Sequence, residues 1–140
     1  MPFEGALADR VLIRERMSEY ADSMFQRDLG AWLANFTEDC LWRGNGMEMR
    51  GLDALAASWP GLWEPLNRMA YFTEVAAIKV TGDTATARCY SRQIMFQKDG
   101  AVRKFAGLYH DKLVRRGETW LFAEREFEFI GTEPNIEPAA

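Results

Sequence analysis

The chain has 140 residues, of which 48% are hydrophobic and 27% charged, and its formal net charge is −4. This length suits one buried core, so residues 1–140 are predicted to form a single domain. The mixed charges form no basic stripe, which argues against nucleic acid or a membrane surface as a partner. The N-terminal residues lack a secretory pattern and no apolar run is long enough to span a membrane, so a cytoplasmic location is expected.

The first third of the chain has the hydrophobic spacing of helices. Apolar residues recur at helical intervals from Glu4 to Arg27, which predicts one long amphipathic helix. Asp28 is a suitable N-cap for a second, shorter helix, and Trp32, Leu33 and Phe36 are expected on one side of it.

A hairpin and a third helix are predicted next. In CLWRGNGMEMRG, Gly44 and Gly46 flank Asn45, and these residue types allow the positive φ of a tight reversal between two short strands. The following stretch, LDALAASWPGLWEPL, predicts a helix. Pro60 and Pro65 each remove a backbone donor, so this helix is expected to kink or end near them.

The second half of the chain is predicted to consist of strands separated by turns at Gly82-Asp83, Asp99-Gly100 and Arg116-Gly117. The predicted strands are AYFTEVAAIKV, TATARCYSRQIMFQ, VRKFAGLYHDKLVR and TWLFAEREFEFI. Three helices followed by an antiparallel meander define an α+β fold in which a curved sheet wraps the long helix. Residues 131–140, GTEPNIEPAA, are expected to form a loosely ordered tail.

Neither cysteine has the spacing of a metal site or of a disulfide framework. Cys40 and Cys89 are far apart, without a C-x-x-C pair or a histidine-rich segment nearby. Both are therefore predicted to be buried small hydrophobic residues, and no metal site is predicted.

Four motifs, in this order, carry a resemblance to a known family: YADSMFQRDLGAWLANFTEDCLW, MRGLDAL, VTGDTATA and YHDKLVRRGETWLFAER. From about residue 7 to 130 the chain resembles the SnoaL-like branch of the nuclear transport factor 2-like superfamily. The resemblance implies a cone-shaped α+β barrel around one deep, mostly apolar pocket. Such families include polyketide cyclases, ketosteroid isomerases, scytalone-type dehydratases and dehydrohalogenases, which need no organic cofactor, and also proteins that only bind or assemble.

The chain lacks the Asp-His dyad that the dehydratase and dehydrohalogenase branch places in its pocket. By motif spacing, the aspartate position is occupied by Phe25 and the histidine position by Tyr71. Without a carboxylate that orients an imidazole base, the elimination mechanism of that branch cannot operate in its usual form.

Other polar residues match family positions. Tyr20 lies eight residues before Asp28, the spacing of the oxyanion-hole tyrosine in ketosteroid isomerases, so it either donates to a developing enolate or is a core tyrosine at the cavity edge. Asp111 precedes KLVRR, where the isomerases carry a protonated acid, and it acts either as an acid or base or as the ion-pair partner of Arg125. Arg125 matches an inward-facing arginine of the dehydrohalogenases, suited to an anion or to Asp111.

Strand alternation predicts which side chains share the cavity. The resemblance places Asp111 inward, so the neighbouring His110, the only histidine, is predicted to point outward. The inward set is then Phe105, Gly107, Tyr109, Asp111, Leu113, Leu121, Ala123, Arg125, Phe127 and Phe129. The outward set includes Leu108, His110, Trp120, Phe122, Glu124, Glu126 and Glu128. This outer face is apolar enough to predict a homodimer, as in many relatives.

Aromatic and thioether side chains suggest a flat, ring-containing ligand. Tyr71 and Tyr109 either donate hydrogen bonds or act as bases if an arginine lowers their pKa. The candidate ligand-contacting residues are Phe25, Trp42, Met47, Met49, Trp59, Trp63, Phe72, Met95 and Tyr109.

The sequence favours a lyase or isomerase that needs neither metal nor organic cofactor and acts on a small hydrophobic, aromatic or polyketide-like substrate. The reaction would be proton transfer beside a carbonyl or phenol, with loss of water or a small carbon unit, or ring closure. In this interpretation Tyr20 and Tyr71 polarise the substrate, Arg125 stabilises the developing anion, and Asp111 moves the proton or holds Arg125. The alternative is a non-catalytic protein that binds a small ligand or serves in assembly, which the missing dyad favours.

Overall fold

The computed structural model describes residues 1–134, in which three helices pack on one seven-stranded sheet. In chain order the elements are β1 (Phe3–Glu4), α1 (Leu7–Phe25), α2 (Leu29–Leu33), β2 (Phe36–Gly44), β3 (Met47–Arg50), α3 (Leu52–Trp63), β4 (Leu66–Thr81), β5 (Thr84–Gln97), β6 (Val102–Arg116) and β7 (Thr119–Glu133). The strand order is β1-β4-β5-β6-β7-β2-β3, antiparallel except that β1 pairs parallel with β4 and β2 with β7. The α+β prediction is confirmed.

Helix α1 is the hydrophobic centre of the fold. Its buried apolar residues recur at helical intervals, as the sequence predicted, and they face the sheet: Ile13, Met17, Tyr20, Ala21 and Met24. The helix begins at Leu7, and the prediction of a start at Glu4 was wrong. Phe3 and Glu4 instead add a short parallel strand to β4 beside Ile78 and Lys79.

The two shorter helices differ in how well their ends were predicted. Asp28 caps α2 as expected, since its Oδ1 accepts the backbone N–H of Ala31 at 3.0 Å. Phe36 belongs to strand β2 and not to α2. Helix α3 continues through Pro60 to Trp63 and ends before Pro65, so of the two prolines it is Pro65 that follows the expected helix end.

The predicted hairpin is present and forms part of the cavity wall described below. Strands β2 and β3 pair antiparallel, with Gly44 opposite Met47, and the two turn residues Asn45 and Gly46 have φ of 53° and 75°. Two consecutive positive φ values match a type I′ turn, whose twist suits a two-residue hairpin.

A bulge in β7 overturns part of the predicted alternation. Leu113 of β6 pairs with Phe122, but the preceding residue Lys112 pairs with Glu124, which leaves Ala123 as an extra residue. The inward parity therefore changes at this point, and Phe122 and Arg125 both face the core. The prediction that Trp120 and Phe122 face outward was wrong, because both are buried core residues, with 1% and 0% exposure.

Three other inward predictions need correction. Leu121 and Ala123 are only half-buried on β7 and are not part of the core, and Phe129 is 53% exposed. The predicted tail is also shorter, since residues 131–133 belong to β7, and residues 135–140 lie outside the described part of the chain. Cys40 and Cys89 are buried free thiols, as predicted. None of the helices in residues 1–134 combines the length and apolarity that a membrane crossing requires.

Candidate functional site

A cavity of about 450 Å³ lies between the sheet and the helices. Its volume falls in the range typical of small-molecule sites. The wall is built by α1, α2, α3, the β2–β3 hairpin and the inner faces of β4, β5, β6 and β7: Tyr20, Met24, Trp32, Trp42, Asn45, Met47, Met49, Ala57, Ser58, Gly61, Leu62, Met69, Tyr71, Gln93, Met95, Phe105, Tyr109 and Phe127.

Most of this wall is apolar and polarisable. Five of the seven methionines of the chain line it, together with the rings of Trp32, Trp42, Phe105 and Phe127. Thioether and aromatic groups adapt to flat, polarisable ligands without requiring a single fixed shape. The surface is suited to a compound that contains rings.

Three tyrosines form the polar centre of the wall. Tyr20 comes from α1, Tyr71 from β4 and Tyr109 from β6, and all three are at most 3% exposed. The Tyr71 hydroxyl donates to the Tyr109 hydroxyl at 2.6 Å. The ring centroid of Tyr20 lies 5.8 Å from that of Tyr71 and 6.1 Å from that of Tyr109. These three residues are called the phenol cluster below.

An arginine lies directly behind the phenol cluster. The guanidinium carbon of Arg125 is 3.8 Å from the ring centroid of Tyr109, 4.3 Å from that of Tyr20 and 4.2 Å from that of Phe122. A cation over the faces of three rings is attracted by their quadrupoles, most strongly where water is excluded. Arg125 is fully buried, yet it does not line the cavity.

Asp111 holds this arginine in place. The Nε–H of Arg125 donates to Oδ1 of Asp111 at 2.8 Å and the Nη2–H donates to Oδ2 at 3.1 Å, which is a two-point charge-assisted contact. Burial alone would lower the pKa of Arg125, but Asp111 and the nearby phenols raise it well above its ordinary value. The guanidinium therefore stays charged. Of the two alternatives for Asp111, the geometry favours the ion pair.

The phenols of Tyr71 and Tyr109 are neutral donors. Burial raises the pKa of each well above the ordinary value of 10.0, and the nearby phenols raise it further, while the charge of Arg125 acts in the opposite direction. Desolvation disfavours the phenolate more than the guanidinium favours it. The alternative in which an arginine lowers these pKa values and makes a base is therefore contradicted.

The remaining polar groups on the wall are also uncharged. Gln93 follows Cys89 and Ser91 on the inner face of β5, and it is buried with its side chain at the cavity. The indole N–H groups of Trp32 and Trp42 are enclosed without a hydrogen-bond acceptor in residues 1–134. Among the described residues that line the cavity there is no carboxylate, imidazole, amine, guanidinium or thiol.

The structure brings together seven of the thirteen candidate site residues at the cavity: Tyr20, Trp42, Met47, Met49, Tyr71, Met95 and Tyr109. Trp59 and Trp63 are buried in the core and do not line the cavity, although Trp59 stacks near the cavity-lining Trp32 at 5.1 Å between ring centroids. Phe25 and Phe72 lie outside it, in edge-to-face contact with each other and 36% and 51% exposed.

Sequence reasoning missed Gln93 and Phe127 as site residues. A period-2 count from Cys89 along β5 would have placed Gln93 on the inner face, and Phe127 was predicted to point inward without a role. Trp32, Met24, Met69 and Phe105 were missed because core residues and cavity residues have the same composition.

His110 does not belong to this site. Its side chain lies on the outer face of the sheet, 51% exposed, with Nε2 3.5 Å from Oε1 of Glu128. The predicted outward orientation is confirmed. Within residues 1–134, no three side chains of His, Cys, Asp or Glu converge as metal ligands would.

Helices packed over one face of a mixed, mainly antiparallel sheet, with an apolar cavity between them, define the nuclear transport factor 2-like fold class. The chain belongs to the SnoaL-like domain family, whose model matches residues 5–126. The resemblance predicted from the sequence is confirmed.

Solved structures with this fold cover nearly the whole chain. One is a protein from Novosphingobium aromaticivorans DSM 12444 provisionally named a scytalone dehydratase, with a TM-score of 0.84, 22% identity, and 96% of this chain and 92% of that chain covered. Another from Novosphingobium aromaticivorans, provisionally named an aromatic ring hydroxylase, has a TM-score of 0.86, 24% identity, and 93% and 95% coverage.

A hexachlorocyclohexane dehydrochlorinase, LinA type 2, has a TM-score of 0.82, 16% identity, and covers 96% of this chain and 95% of its own. At these identities the likeness shows a shared fold. No curated protein matches the chain.

Proposed function

We propose that the protein is a lyase or isomerase, independent of metal and organic cofactor, that acts on a small, uncharged aromatic or polyketide-like compound. The phenol cluster holds a carbonyl or phenol oxygen of the substrate and polarises it. The observation that carries this proposal is the Tyr71–Tyr109 hydroxyl pair at 2.6 Å in the wall of an apolar cavity, with the Arg125 guanidinium behind it.

Within the Tyr71–Tyr109 pair, the hydrogen-bond arrangement leaves one donor for the substrate. Tyr71 uses its proton on the Tyr109 oxygen, so Tyr109 still has its own proton to donate. A preorganised donor in an apolar site stabilises an oxygen on which negative charge develops. The Tyr109 hydroxyl accepts a hydrogen bond from Tyr71, and the guanidinium carbon of Arg125 lies 3.8 Å from the Tyr109 ring centroid. Both neighbours make the Tyr109 phenol a stronger hydrogen-bond donor as negative charge grows on the substrate oxygen.

This assignment changes the roles predicted for the charged pair. Arg125 is separated from the cavity by the rings of Tyr20 and Tyr109, so it acts through them and does not contact the substrate. Asp111 fixes the orientation of Arg125 through two hydrogen bonds, and it does not reach the cavity to move a proton. Both are positioning residues.

The proton must leave without a base from the cavity wall. In loss of water from a β-hydroxy ketone, the C–H bond next to the carbonyl and the C–OH bond break, and the departing hydroxyl takes the proton to leave as water. In an isomerisation, solvent water takes the proton and returns it at another carbon. In both reactions the phenol cluster stabilises the enolate-like oxygen.

The chemistry of the wall also limits the substrate. It presents hydroxyl, amide and indole donors but no charged group, so a carboxylate or ammonium on the ligand would be buried without a partner. An uncharged compound with oxygen acceptors fits this wall.

The alternative function is non-catalytic binding of the same class of ligand. The observation that favours it is the lack of any carboxylate or imidazole among the described residues of the cavity wall. A wall of this kind can hold a neutral ring compound without taking part in acid–base chemistry.

Solvent deuterium exchange separates the two functions. The neutral two-ring ketone 2-tetralone would be incubated with the protein in D₂O, and loss of the proton next to its carbonyl followed by ¹H NMR. The proposed enzyme accelerates exchange over buffer. The variant Tyr109→Phe should slow the protein-dependent rate by about 100-fold, the effect typical of losing one oxyanion donor.

Tyr90→Phe is the matched control, because Tyr90 lies on the outer face of the sheet and is 43% exposed. It should leave the exchange rate unchanged. If 2-tetralone binds, as shown by its line broadening, and exchange proceeds at the buffer rate, the enzyme proposal is wrong and the binding function holds.

A further inference from the structure

Phe127 forms the part of the cavity wall next to the phenol cluster. It lies on β7 directly opposite Tyr109 of β6 and is 7% exposed. Its ring centroid is 5.2 Å from that of Tyr109 and 6.3 Å from that of Phe105, and all three rings line the cavity. The position of this ring therefore decides how much room remains beside the Tyr109 hydroxyl.

Two glycines make room for this side chain. A Cβ added at Gly107 would overlap the Cε2 and Cζ atoms of Phe127 and would lie 2.9 Å from the backbone oxygen of Glu128. A Cβ added at Gly44 would lie 2.7 Å from the Cβ of Phe127 and 2.9 Å from Cη2 of Trp42. Neither glycine has a positive φ, so both positions require space and not an unusual backbone conformation.

We infer that Phe127, seated against Gly107 and Gly44, determines the size of the ring system that can reach the phenol cluster. This inference rests on the proposed function of the same cavity, and it adds the residues that select the substrate. The strand backbone closes the sheet side of the Phe127 ring, and the cavity is open on its other side. A side chain at Gly107 therefore displaces the ring into the cavity.

The test uses ligand affinity in size-changing variants of the full chain. The neutral probe N-phenyl-1-naphthylamine reports binding by fluorescence, and acetophenone, 2-acetonaphthone and 2-acetylanthracene compete for it as ketones of increasing ring number. Gly107→Ala should lower the affinity for 2-acetonaphthone by about tenfold or more, which is the effect of overpacking one methyl group. Gly131→Ala, a strand glycine with open space around it, should change affinity by less than about twofold.

A second substitution tests whether Gly107→Ala lowers the affinity by displacing the Phe127 ring. Gly107→Ala with Phe127→Leu should recover the affinity for 2-acetonaphthone to within about threefold of the original chain, because the two changes are coupled. Phe127→Leu alone should bind 2-acetylanthracene more tightly than the original chain does. If Gly107→Ala does not fold, this last comparison decides the question.

Each of three results would overturn the inference. Folded Gly107→Ala could bind 2-acetonaphthone with the affinity of the original chain, or the double variant could bind it as weakly as Gly107→Ala does. Alternatively, Phe127→Leu could bind 2-acetylanthracene no more tightly than the original chain. Failure of the original chain to bind any neutral aromatic probe contradicts the proposed function instead. In that case a crystal structure of Gly107→Ala still tests the inference: a Phe127 ring displaced into the cavity supports it, and an unmoved ring overturns it.

Discussion

Tyr71 shows how the sequence can place a residue correctly while leaving its chemistry open. Motif spacing placed it in the pocket at the position of the missing histidine, and the structure puts it in the cavity wall. Its phenol was expected either to donate a hydrogen bond or to act as a base beside an arginine, and it donates to Tyr109 at 2.6 Å. Which of two nearby groups dominates a pKa depends on burial at each atom, and sequence spacing does not contain that information.

The phenol pair predicts a pH dependence of stability. Tyr71 and Tyr109 keep their protons in the folded chain above the ordinary value of 10.0, whereas in the unfolded chain they ionise near it. Above that pH the unfolded chain binds fewer protons than the folded chain, so the free energy of unfolding falls as pH rises. Below it this contribution is fully present.

Urea unfolding at several pH values checks this prediction. The loss of stability between about pH 9 and pH 11 should be larger in the original chain than in the Tyr71→Phe, Tyr109→Phe double variant, by roughly 1 kcal/mol or more per pH unit. The phenolate absorbance of the two folded proteins should also coincide over this range. Equal pH profiles of stability would show that the phenols are not held neutral by burial.

At the scale of elements, the sequence predicted well which segments are helices, strands and turns, but it predicted some helix ends and side-chain directions wrongly. Hydrophobic spacing identified α1, and residue types identified the Asn45-Gly46 turn and the Asp28 cap, because these signals are local. Helix α3 was expected to kink or end near Pro60 and Pro65; it ends before Pro65 and includes Pro60, which packing of the surrounding turns tolerates. The buried residues around it are Leu55, Trp59 and Trp63.

The bulge at Ala123 is the clearest limit of the sequence prediction. Strict alternation places Phe122 and Arg125 on opposite faces, and both are in fact buried in the core. No residue type in WLFAEREF marks the extra residue, since it is imposed by pairing with β6. The inward direction of Arg125 was nevertheless predicted correctly, because the count started from the family motif on its own side of the bulge.

At the scale of the whole molecule, the fold and the existence of the cavity followed from family resemblance. The resemblance did not distinguish the aromatic residues that line the cavity from those that belong to the core. Trp42 lines the cavity, whereas Trp59 and Trp63 are core residues, and Phe25 and Phe72 lie outside it. Composition treats these residues alike, and only the three-dimensional arrangement separates them.

The outer face of the sheet is the basis of a proposal about assembly. We propose that two copies associate through this face, on which Tyr90 of β5 is 43% exposed, while its partner Leu108 on β6 is already buried at 8% exposure. Acidic residues of β7 and basic residues of β5 and β6 lie beside them. Trp120 and Phe122 no longer support this surface, because they are in the core. Charges of both signs on one face suit pairing with a second copy across a twofold axis.

Sedimentation equilibrium tests this proposal. The original chain should have a mass of about 32 kDa, twice the chain mass of 16.0 kDa. Tyr90→Glu should shift it toward the monomer, and Val11→Glu, an exposed apolar residue on α1, should not. A monomer at micromolar concentration would contradict the proposed interface.

The most direct test of the central claim is the ¹³C NMR shift of a ligand carbonyl bound in the cavity. 2-Acetonaphthone labelled at its carbonyl carbon should move downfield on binding, because a hydrogen bond from Tyr109 polarises the C=O bond. Tyr109→Phe should remove most of that shift while the ligand still binds, and Tyr90→Phe should preserve it. Two results would show that the phenol cluster does not hold the ligand oxygen. The bound carbonyl carbon could have the chemical shift that it has in an apolar solvent, or its shift could be unaffected by Tyr109→Phe.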